Sequence, residues 1–201
     1  MTDFLKKCYQ VDLGISTVCF KLFGPGEGGL MGEKAARLLW ESVSVTGDGF
    51  FWFGLVPIGY MATKSWDPKS LLSMEARLIV SILVIDIGTI VVLKYLFRRE
   101  RPPHHKKDFR FVGPDVHSFP SGHSTRVWSV AYGLRTLIYF NSSFTEQSTV
   151  DPWIVVWASI VSLGRVALGR HYVTDVIAGA VVGRYFIFPL AYILFIHLED
   201  Y

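Results

Sequence analysis

Charge and cysteine are both scarce in this 201-residue sequence. Only 18% of the residues are charged, whereas soluble domains average about 25%. The two cysteines, Cys8 and Cys19, are too few for a disulfide framework and lack the spacing of a zinc site. The opening residues, MTDFLKKCYQ, have no apolar stretch followed by a small-residue cleavage site, so we expect no signal peptide there. These absences argue against an ordinary soluble domain and against a disulfide scaffold.

Apolar residues, by contrast, are abundant. Hydrophobic residues make up 51% of the chain and aromatic residues 15%, which excludes a disordered or collagen-like protein. The length suits one domain, residues 1–201. We predict an all-α polytopic membrane bundle of five to six transmembrane helices, since a spanning helix needs about 17–25 mostly apolar residues. The predicted spans are Gly49–Ala62, Arg77–Phe97, Ser121–Phe140, Pro152–Leu168 and Asp175–Leu198, with Val11–Phe23 as a weaker sixth.

The alternative is a soluble all-α protein with buried helices. Five apolar stretches in 201 residues would leave such a protein little polar surface to meet water. The composition therefore favours the membrane bundle.

The formal net charge of +3 is unevenly distributed. The segment Lys94–Arg110 holds seven basic and two acidic residues, and the rest of the chain is slightly acidic. Such a segment attracts anions. We interpret it as the electrostatic approach to an anionic ligand, with Lys94 and Arg101 in contact with the ligand and the other cations as a funnel. We predict no nucleic-acid partner.

Three polar clusters lie at the ends of the predicted helices. Ionisable residues at membrane depth are costly and usually mark function. Because successive helices alternate direction across a bilayer, the three clusters should meet at one face. They are Lys94 with Arg101, then Ser121 with Gly122 and His123, then Arg165 with His171 and Asp175.

The cations among these residues suit a multiply charged anion. Arginine can bind phosphate through two hydrogen bonds. Lys94 and Arg101 are seven residues apart, so they share a helix face if the helix continues to Pro102. The segment Ser121–His123 opens a helix, whose first backbone N–H groups are free to bind an anion.

The two histidines predict acid–base and nucleophilic chemistry. One could attack phosphorus while the other protonates the leaving oxygen. His171 and Asp175 are four residues apart, so one helical turn could place the carboxylate against the imidazole. No ligand set for magnesium or zinc accompanies them, and we predict neither a metal nor a cofactor.

In order and spacing, these residues resemble the three-part signature of the phosphatidic acid phosphatase type 2 superfamily. That superfamily includes integral membrane lipid phosphatases, glucose-6-phosphatase and soluble vanadium haloperoxidases. One departure is Gly164, where the family commonly has serine, and it removes one possible hydrogen bond to phosphate. The matching parts are Lys94-x6-Arg101-Pro102, Pro120-Ser121-Gly122-His123 and Arg165-x5-His171-x3-Asp175.

The resemblance implies a role for each of these residues. His171 would be the nucleophile that forms a phosphohistidine, Asp175 would orient it, and His123 would protonate the leaving group. The phosphate oxygens would be held by Lys94, Arg101, Ser121, Gly122 and Arg165.

Residues 117–126 and 168–175 are most similar to the polyisoprenoid and presqualene diphosphate phosphatase branch. This implies hydrolysis of presqualene, farnesyl or geranylgeranyl diphosphate, and often of phosphatidate. It also implies membrane lipids as surroundings, and the endoplasmic reticulum or a related endomembrane as location. The alternatives are another lipid phosphate phosphatase, a phosphotransferase or haloperoxidase-like oxidant, and a non-catalytic anion-binding or transport protein.

Other polar residues allow two interpretations. For mid-helix Asp86 we favour a helix–helix hydrogen bond over a tuning role, and for Arg126 and Arg170 a structural role over a catalytic one. Asp48 is expected at a helix start, or otherwise in a turn. Two interpretations carry equal weight for a group of residues in the basic segment. They could contact a second phosphate or an anionic surface, or they could form a solvated loop. The group is Arg99, His104, His105, Lys106 and Lys107.

Overall fold

The computed structural model describes residues 3–26, 29–62, 71–105, 113–141 and 144–199. Within these segments the chain forms helices and no strand, which confirms the all-α prediction. A 3-10 turn at Gly113–Val116 precedes the fifth helix, and a π-helical turn at Gly183–Ile187 joins the last two. The α-helices are α1 (Asp3–Phe23), α2 (Glu33–Val45), α3 (Gly49–Ala62), α4 (Leu71–Phe97), α5 (Gly122–Asn141), α6 (Phe144–Ala167), α7 (Val173–Val182) and α8 (Phe188–Glu199).

The outer surface of the bundle is apolar. Two helical stretches, Glu75–Phe97 and Val173–His197, are each long and apolar enough to cross a membrane. An exposed apolar surface of this extent is unfavourable in water and suits a bilayer. The prediction of a polytopic membrane bundle is confirmed, and the number of spans, five to six, stays a prediction. Large exposed side chains include Val84, Val92 and Leu96 of α4, Ile160 and Leu163 of α6, Ile177 of α7 and Ile193 of α8.

Helix α5 lies at the centre of the fold and packs against α4, α6 and α7. One buried cluster joins α4, α5 and α8, and a smaller one joins α5 to α6. This packing holds the first turn of α5 beside the last turn of α6 and the first of α7. The larger cluster includes Leu78, Ile82, Leu83, Val130, Leu137, Ile187, Ala191 and Phe195.

Two glycines allow the final helical stretch to approach α5 closely. A Cβ atom on Gly183 would lie 2.3 Å from the Thr125 carbonyl oxygen. A Cβ atom on Gly179 would lie 2.8 Å from Ser124 Cβ and 2.9 Å from the Ser121 carbonyl oxygen. No larger residue fits at these separations without moving a helix.

We expect Gly183→Ala to destabilise the protein by about 1–3 kcal/mol, because the added methyl group overpacks the contact with α5. The measurement is thermal unfolding in detergent. Gly88→Ala in α4 is the matched control, since a Cβ atom there meets nothing within 4 Å. That change should be neutral, or stabilising by about 0.5–1 kcal/mol. Equal melting temperatures for the two variants would contradict the close packing.

Three predicted helix starts differ from the structure by several residues, and the first of them is α4, which begins at Leu71 rather than Arg77. Helix α1 begins at Asp3 rather than Val11. Its first half is polar and is helical all the same. Helix α6 begins at Phe144, so Pro152 lies inside the helix and does not open it. Proline removes one backbone hydrogen bond from a helix interior, and helices in membranes tolerate that loss.

Helix α2 was not predicted, because its sequence is not a mostly apolar stretch. Its residues Ala36, Trp40 and Ser44 are buried, and the opposite side is charged or exposed. A helix with one apolar face buries that face against neighbours. Here the neighbour is α6.

Candidate active site

The three polar clusters meet at one cavity of about 730 Å³. Ser121 and Asp175 do not line it, and both are fully buried beside it. The topology thus brings together residues that are up to 81 positions apart in the sequence. The predicted residues that line the cavity are Lys94, Arg101, Gly122, His123, Arg165 and His171.

The helix that carries Lys94 ends before it reaches Arg101. Helix α4 ends at Phe97, and Arg98 adopts a left-handed backbone conformation with φ of 45°. The helix therefore does not continue to Pro102, and Lys94 and Arg101 do not share a helix face. Arg101 reaches the cavity from the connection that follows α4.

Backbone carbonyl groups hold both cations in place. The Lys94 ammonium group, almost fully buried, donates to the His117 carbonyl oxygen at 2.6 Å and lies 3.3 Å from a carboxylate oxygen of Asp115. The Arg101 guanidinium group donates to the Asp115 carbonyl oxygen at 2.6 Å and to the Arg170 carbonyl oxygen at 2.7 Å. Both charges are thereby oriented before any ligand binds.

His171 lies in the tight connection between α6 and α7, where Gly169 takes a φ of 67°. Its Nδ1 atom is 2.8 Å from the Ser118 carbonyl oxygen. A carbonyl only accepts, so Nδ1 carries the proton and Nε2 has a free electron pair. Nε2 is 3.4 Å from Arg101 Nη1. Burial, together with the positive charges of Arg101 and Arg165, holds the pKa of His171 well below its usual range, so the ring is neutral at neutral pH.

Asp175 lies close to the imidazole without forming its shortest contact. Its Oδ2 atom is 3.6 Å from His171 Nδ1 and accepts the Tyr172 backbone N–H at 2.9 Å. Helix α7 begins only at Val173, so His171 precedes the helical turn that the spacing implied. The Ser118 carbonyl group orients the ring, and the Asp175 carboxylate is near enough to stabilise positive charge on it.

Ser121 and His123 lie on either side of the first residue of α5. The Ser121 hydroxyl group accepts the Ser124 backbone N–H at 3.4 Å, and the Ser121 backbone N–H donates to the Asp175 carbonyl oxygen at 3.1 Å. His123 faces the cavity beside Gly47, where an added Cβ atom would lie 3.1 Å from the ring. Ser121 therefore joins α5 to α7, and His123 presents its imidazole to the cavity.

The structure explains the unusual Gly164. A Cβ atom there would lie 2.9 Å from the indole ring of Trp40. Trp40 in turn donates its indole N–H to the Phe23 carbonyl oxygen at 2.7 Å. Glycine at this position makes room for α2 against the end of α6.

Asp86 and Asp48 have the structural roles that the sequence favoured. Asp86 of α4 accepts a hydrogen bond from Thr125 at 2.7 Å and pairs with Arg126 at 2.7 Å, both on α5. Asp48 accepts the Phe50 backbone N–H at 3.1 Å and so opens α3. The first pair ties two helices together, and the second fixes the start of a third.

Arg126 and Arg170 are structural residues that also line the cavity. Arg126 donates to the Gly47 carbonyl oxygen at 3.1 Å, and Arg170 pairs with Glu41 of α2 at 2.6 Å. The only sequence signal that Arg126 and Arg170 line the cavity was their position near His123 and His171. The cavity thus has cations beyond the predicted set.

The funnel interpretation is wrong for Arg99, and His104 is neither in a solvated loop nor at the cavity. Arg99 binds Asp12 and Asp175 rather than facing the cavity, and His104 stacks on the Phe20 ring at 4.7 Å. Both side chains therefore contact α1. Lys106, Lys107 and the rest of residues 106–112 lie outside the described part of the chain.

An apolar wall continues the cavity away from the cations. Its side chains come from the start of α3 and the middle of α4. Phe50 is 89% exposed and Ile87 is 44% exposed, so the cavity joins the buried charges to the apolar exterior. The wall consists of Phe50, Phe53, Ile87, Ile90 and Val91.

Two histidines and a set of oriented cations surround one cavity of this helical membrane bundle, an arrangement that suits an anion. Residues 75–198 match the PAP2 superfamily, and the chain belongs to that superfamily. The superfamily that the signature indicated is thereby confirmed.

Two curated relatives show how much of the chain is shared. The probable lipid phosphate phosphatase beta of Arabidopsis thaliana is 34% identical over 125 residues, which cover 50% of this chain and 57% of that protein. The decaprenylphosphoryl-5-phosphoribose phosphatase of Mycolicibacterium smegmatis is 37% identical over 89 residues, which cover 44% and 43%. The chain spans about half the length of the curated relatives it matches.

Two solved structures share the fold. A transmembrane PAP2-type phosphatidylglycerolphosphate phosphatase from Bacillus subtilis has a TM-score of 0.65 and 24% identity, with 99% of this chain and 88% of that chain covered. LpxE of Aquifex aeolicus has a TM-score of 0.61 and 16% identity, with 93% and 95% covered. The fold therefore extends over nearly the whole chain, beyond residues 75–198.

Proposed function

We propose that this protein is a metal-independent lipid phosphatase that works through a phosphohistidine on His171. The observation that carries the proposal is the state of that ring. The Ser118 carbonyl group fixes the proton on Nδ1, so the free electron pair of Nε2 lies beside the Arg101 guanidinium group. A neutral imidazole next to a phosphate-binding cation is a ready nucleophile.

The proposed hydrolysis consists of two phosphoryl transfers, first to His171 and then to water. In the first, His171 Nε2 forms a bond to phosphorus while the bond from phosphorus to the lipid oxygen breaks, and that oxygen takes a proton from His123. In the second, a water molecule attacks the phosphohistidine and gives its proton to His123. The phosphorus–nitrogen bond breaks, its electron pair returns to Nε2, and inorganic phosphate leaves. His123 therefore alternates between acid and base.

The cations supply the charge stabilisation. Lys94 and Arg101 are oriented by carbonyl groups, and the almost fully buried Arg165 lines the same cavity. Oriented donors at a buried site stabilise the charge of a transferring phosphoryl group strongly. Asp175, close to His171 Nδ1, would stabilise the positive charge of the phosphorylated ring. We expect Gly122, at the start of α5, to hold phosphate, whereas Ser121 does not line the cavity and joins α5 to α7 instead.

For the substrate, we propose isoprenoid diphosphates, with phosphatidate or lysophospholipid as the alternative class. Arg126 and Arg170 add cations for a second phosphate, and the apolar wall of Phe50 and Ile87 suits a hydrocarbon chain. The relatives carry names that refer to several phosphorylated lipids. Location in the endoplasmic reticulum or a related endomembrane rests on likeness to the diphosphate phosphatase branch alone.

The direct test is phosphate release by purified protein from farnesyl diphosphate and from phosphatidate, with a chelator present. We expect turnover of both lipids and a phosphoenzyme that is labile to acid and stable to base. A protein that binds both lipids without turnover or phosphoenzyme would instead be an anion-binding or transport protein.

Arg126 provides a test of diphosphate preference. We expect Arg126→Gln, combined with Asp86→Asn, to lower kcat/KM for farnesyl diphosphate about tenfold or more relative to phosphatidate. The reason is the loss of a hydrogen bond to a charged group, which contributes ~1.5–3 kcal/mol. The second change avoids a buried, unpaired carboxylate, since Asp86 pairs with Arg126.

Asp86→Asn alone is the matched control, because it retains the arginine. Its ratio of kcat/KM for the two lipids should equal that of the wild type. An equal loss of activity on both lipids in the double variant would mean that Arg126 does not contact a second phosphate.

A further inference from the structure

We propose that Asp12 and Arg99 form a positioning relay that holds the Asp175 carboxylate beside His171 from outside the cavity. This inference rests on the proposed role of His171. It makes α1, which precedes the matched region of residues 75–198, part of the catalytic apparatus.

The inner contact of the relay is between Arg99 and Asp175. Arg99 Nη1 donates to Asp175 Oδ1 at 2.6 Å and to Thr174 Oγ1 at 2.7 Å. The guanidinium carbon lies 3.9 Å from the centre of the Tyr172 ring. Asp175 is fully buried, so this ion pair is shielded from solvent on the carboxylate side. Hydrogen bonds and ring stacking together leave the guanidinium group little freedom.

The outer contact is between Arg99 and α1. Arg99 Nη2 donates to Asp12 Oδ2 at 2.7 Å, and the Asp12 side chain is 5% exposed. The same carboxylate accepts the Thr174 backbone N–H at 3.2 Å and the Thr174 hydroxyl group. Next to it, Ser16 accepts the Val173 backbone N–H at 3.0 Å. Side chains of α1 therefore bind the free backbone groups at the start of α7.

These contacts fix the plane of the Asp175 carboxylate. Its Oδ1 atom is held by Arg99 and its Oδ2 atom by the Tyr172 backbone N–H, and Oδ2 is the atom 3.6 Å from His171 Nδ1. If Arg99 is removed, Oδ1 loses its charged donor, and the carboxylate keeps only the Tyr172 backbone N–H and the Ser118 hydroxyl group, so it can rotate away from the ring. A displacement of about 1 Å near reacting groups can lower a rate about 10²-fold.

A purely structural role predicts something different. If the relay only fastened α1 to the bundle, its loss would lower the melting temperature and leave kcat per folded molecule unchanged. A positioning role lowers kcat and leaves KM unchanged, because the phosphate-holding side chains Lys94, Arg101 and Arg165 are not touched.

The experiment measures kcat, KM and melting temperature for the full chain with farnesyl diphosphate and phosphatidate. We expect Arg99→Gln to lower kcat about 10–100-fold with KM unchanged. Arg99→Lys should recover part of the loss, since it keeps the charge but cannot bridge both carboxylates. Asp12→Asn should lower kcat less, and should have no further effect when Arg99→Gln is already present, because both changes break one relay.

Thr17→Val is the matched control on α1. Thr17 contacts His104 Nε2 at 3.1 Å, so its loss weakens an attachment of α1 that does not lead to Asp175. We expect kcat close to the wild-type value in this variant. An unchanged kcat in Arg99→Gln, or equal losses of kcat in Asp12→Asn and Thr17→Val, would overturn the relay.

His171→Ala, measured beside these variants, distinguishes failure of the relay from failure of the proposed function. Full activity in His171→Ala would show that the proposed function is wrong. An inactive His171→Ala together with a fully active Arg99→Gln would show that only the relay is wrong.

Discussion

Replacement of His171 by alanine is expected to lower kcat for lipid phosphate hydrolysis on the order of 10³-fold or more. The variant keeps Lys94, Arg101 and Arg165, so it should still bind the substrate phosphate. It lacks the Nε2 electron pair that forms the bond to phosphorus. Phosphate release and rapid-quench trapping of the phosphoenzyme are the two measurements, and the phosphoenzyme should vanish with the activity.

A second histidine provides the control for this result. His197 is exposed near the end of α8, and His197→Ala should retain both activity and phosphoenzyme. If His171→Ala still forms a base-stable phosphoenzyme, another residue is the nucleophile. In that case the orientation of Nε2 by the Ser118 carbonyl group has a different purpose.

The second large effect concerns His123. We expect His123→Ala to lower kcat for phosphatidate, whose leaving oxygen is an alkoxide that needs a proton, by about 10²–10⁴-fold, the range for loss of general acid–base catalysis. In the first transfer His123 protonates the leaving oxygen. A nitrophenyl phosphate ester releases a stable anion that needs no proton, so its first transfer should be nearly normal in the variant.

The decisive measurement is the first turnover. His123→Ala should give a burst of nitrophenol from the ester, followed by slow turnover, because the hydrolysis of phosphohistidine still lacks its base. The phosphoenzyme should therefore accumulate. His171→Ala should give no burst with either kind of substrate. If His123→Ala loses the burst as well, His123 holds phosphate rather than transferring a proton.

The relation between sequence and structure is clear in the first signature segment. Lys94 and Arg101 would share a helix face only if the helix continued to Pro102, and the structure ends that helix at Phe97. Both still reach the cavity, because the Asp115 and His117 carbonyl groups hold them there. Residue types and their order indicated the chemistry, whereas the side-chain positions depend on carbonyl groups that no sequence pattern reveals.

The basic segment around Arg99 shows the opposite case. Its charge predicted attraction of an anionic ligand, yet Arg99 is held by two carboxylates of its own chain. One of them, Asp12, is 87 residues away. Sequence spacing cannot predict such a pair, because it forms only when α1 packs beside the start of α7.

By itself, the sequence determined the all-helical membrane class, the superfamily and six of the residues that line the cavity. These follow from apolar stretch length and from short motifs whose chemistry depends on residue type. Only the tertiary structure decided that Ser118 orients His171, that Trp40 accounts for Gly164 and that α1 contacts the site. Each of these is a contact between distant segments, and its geometry is set by how the helices pack rather than by local sequence.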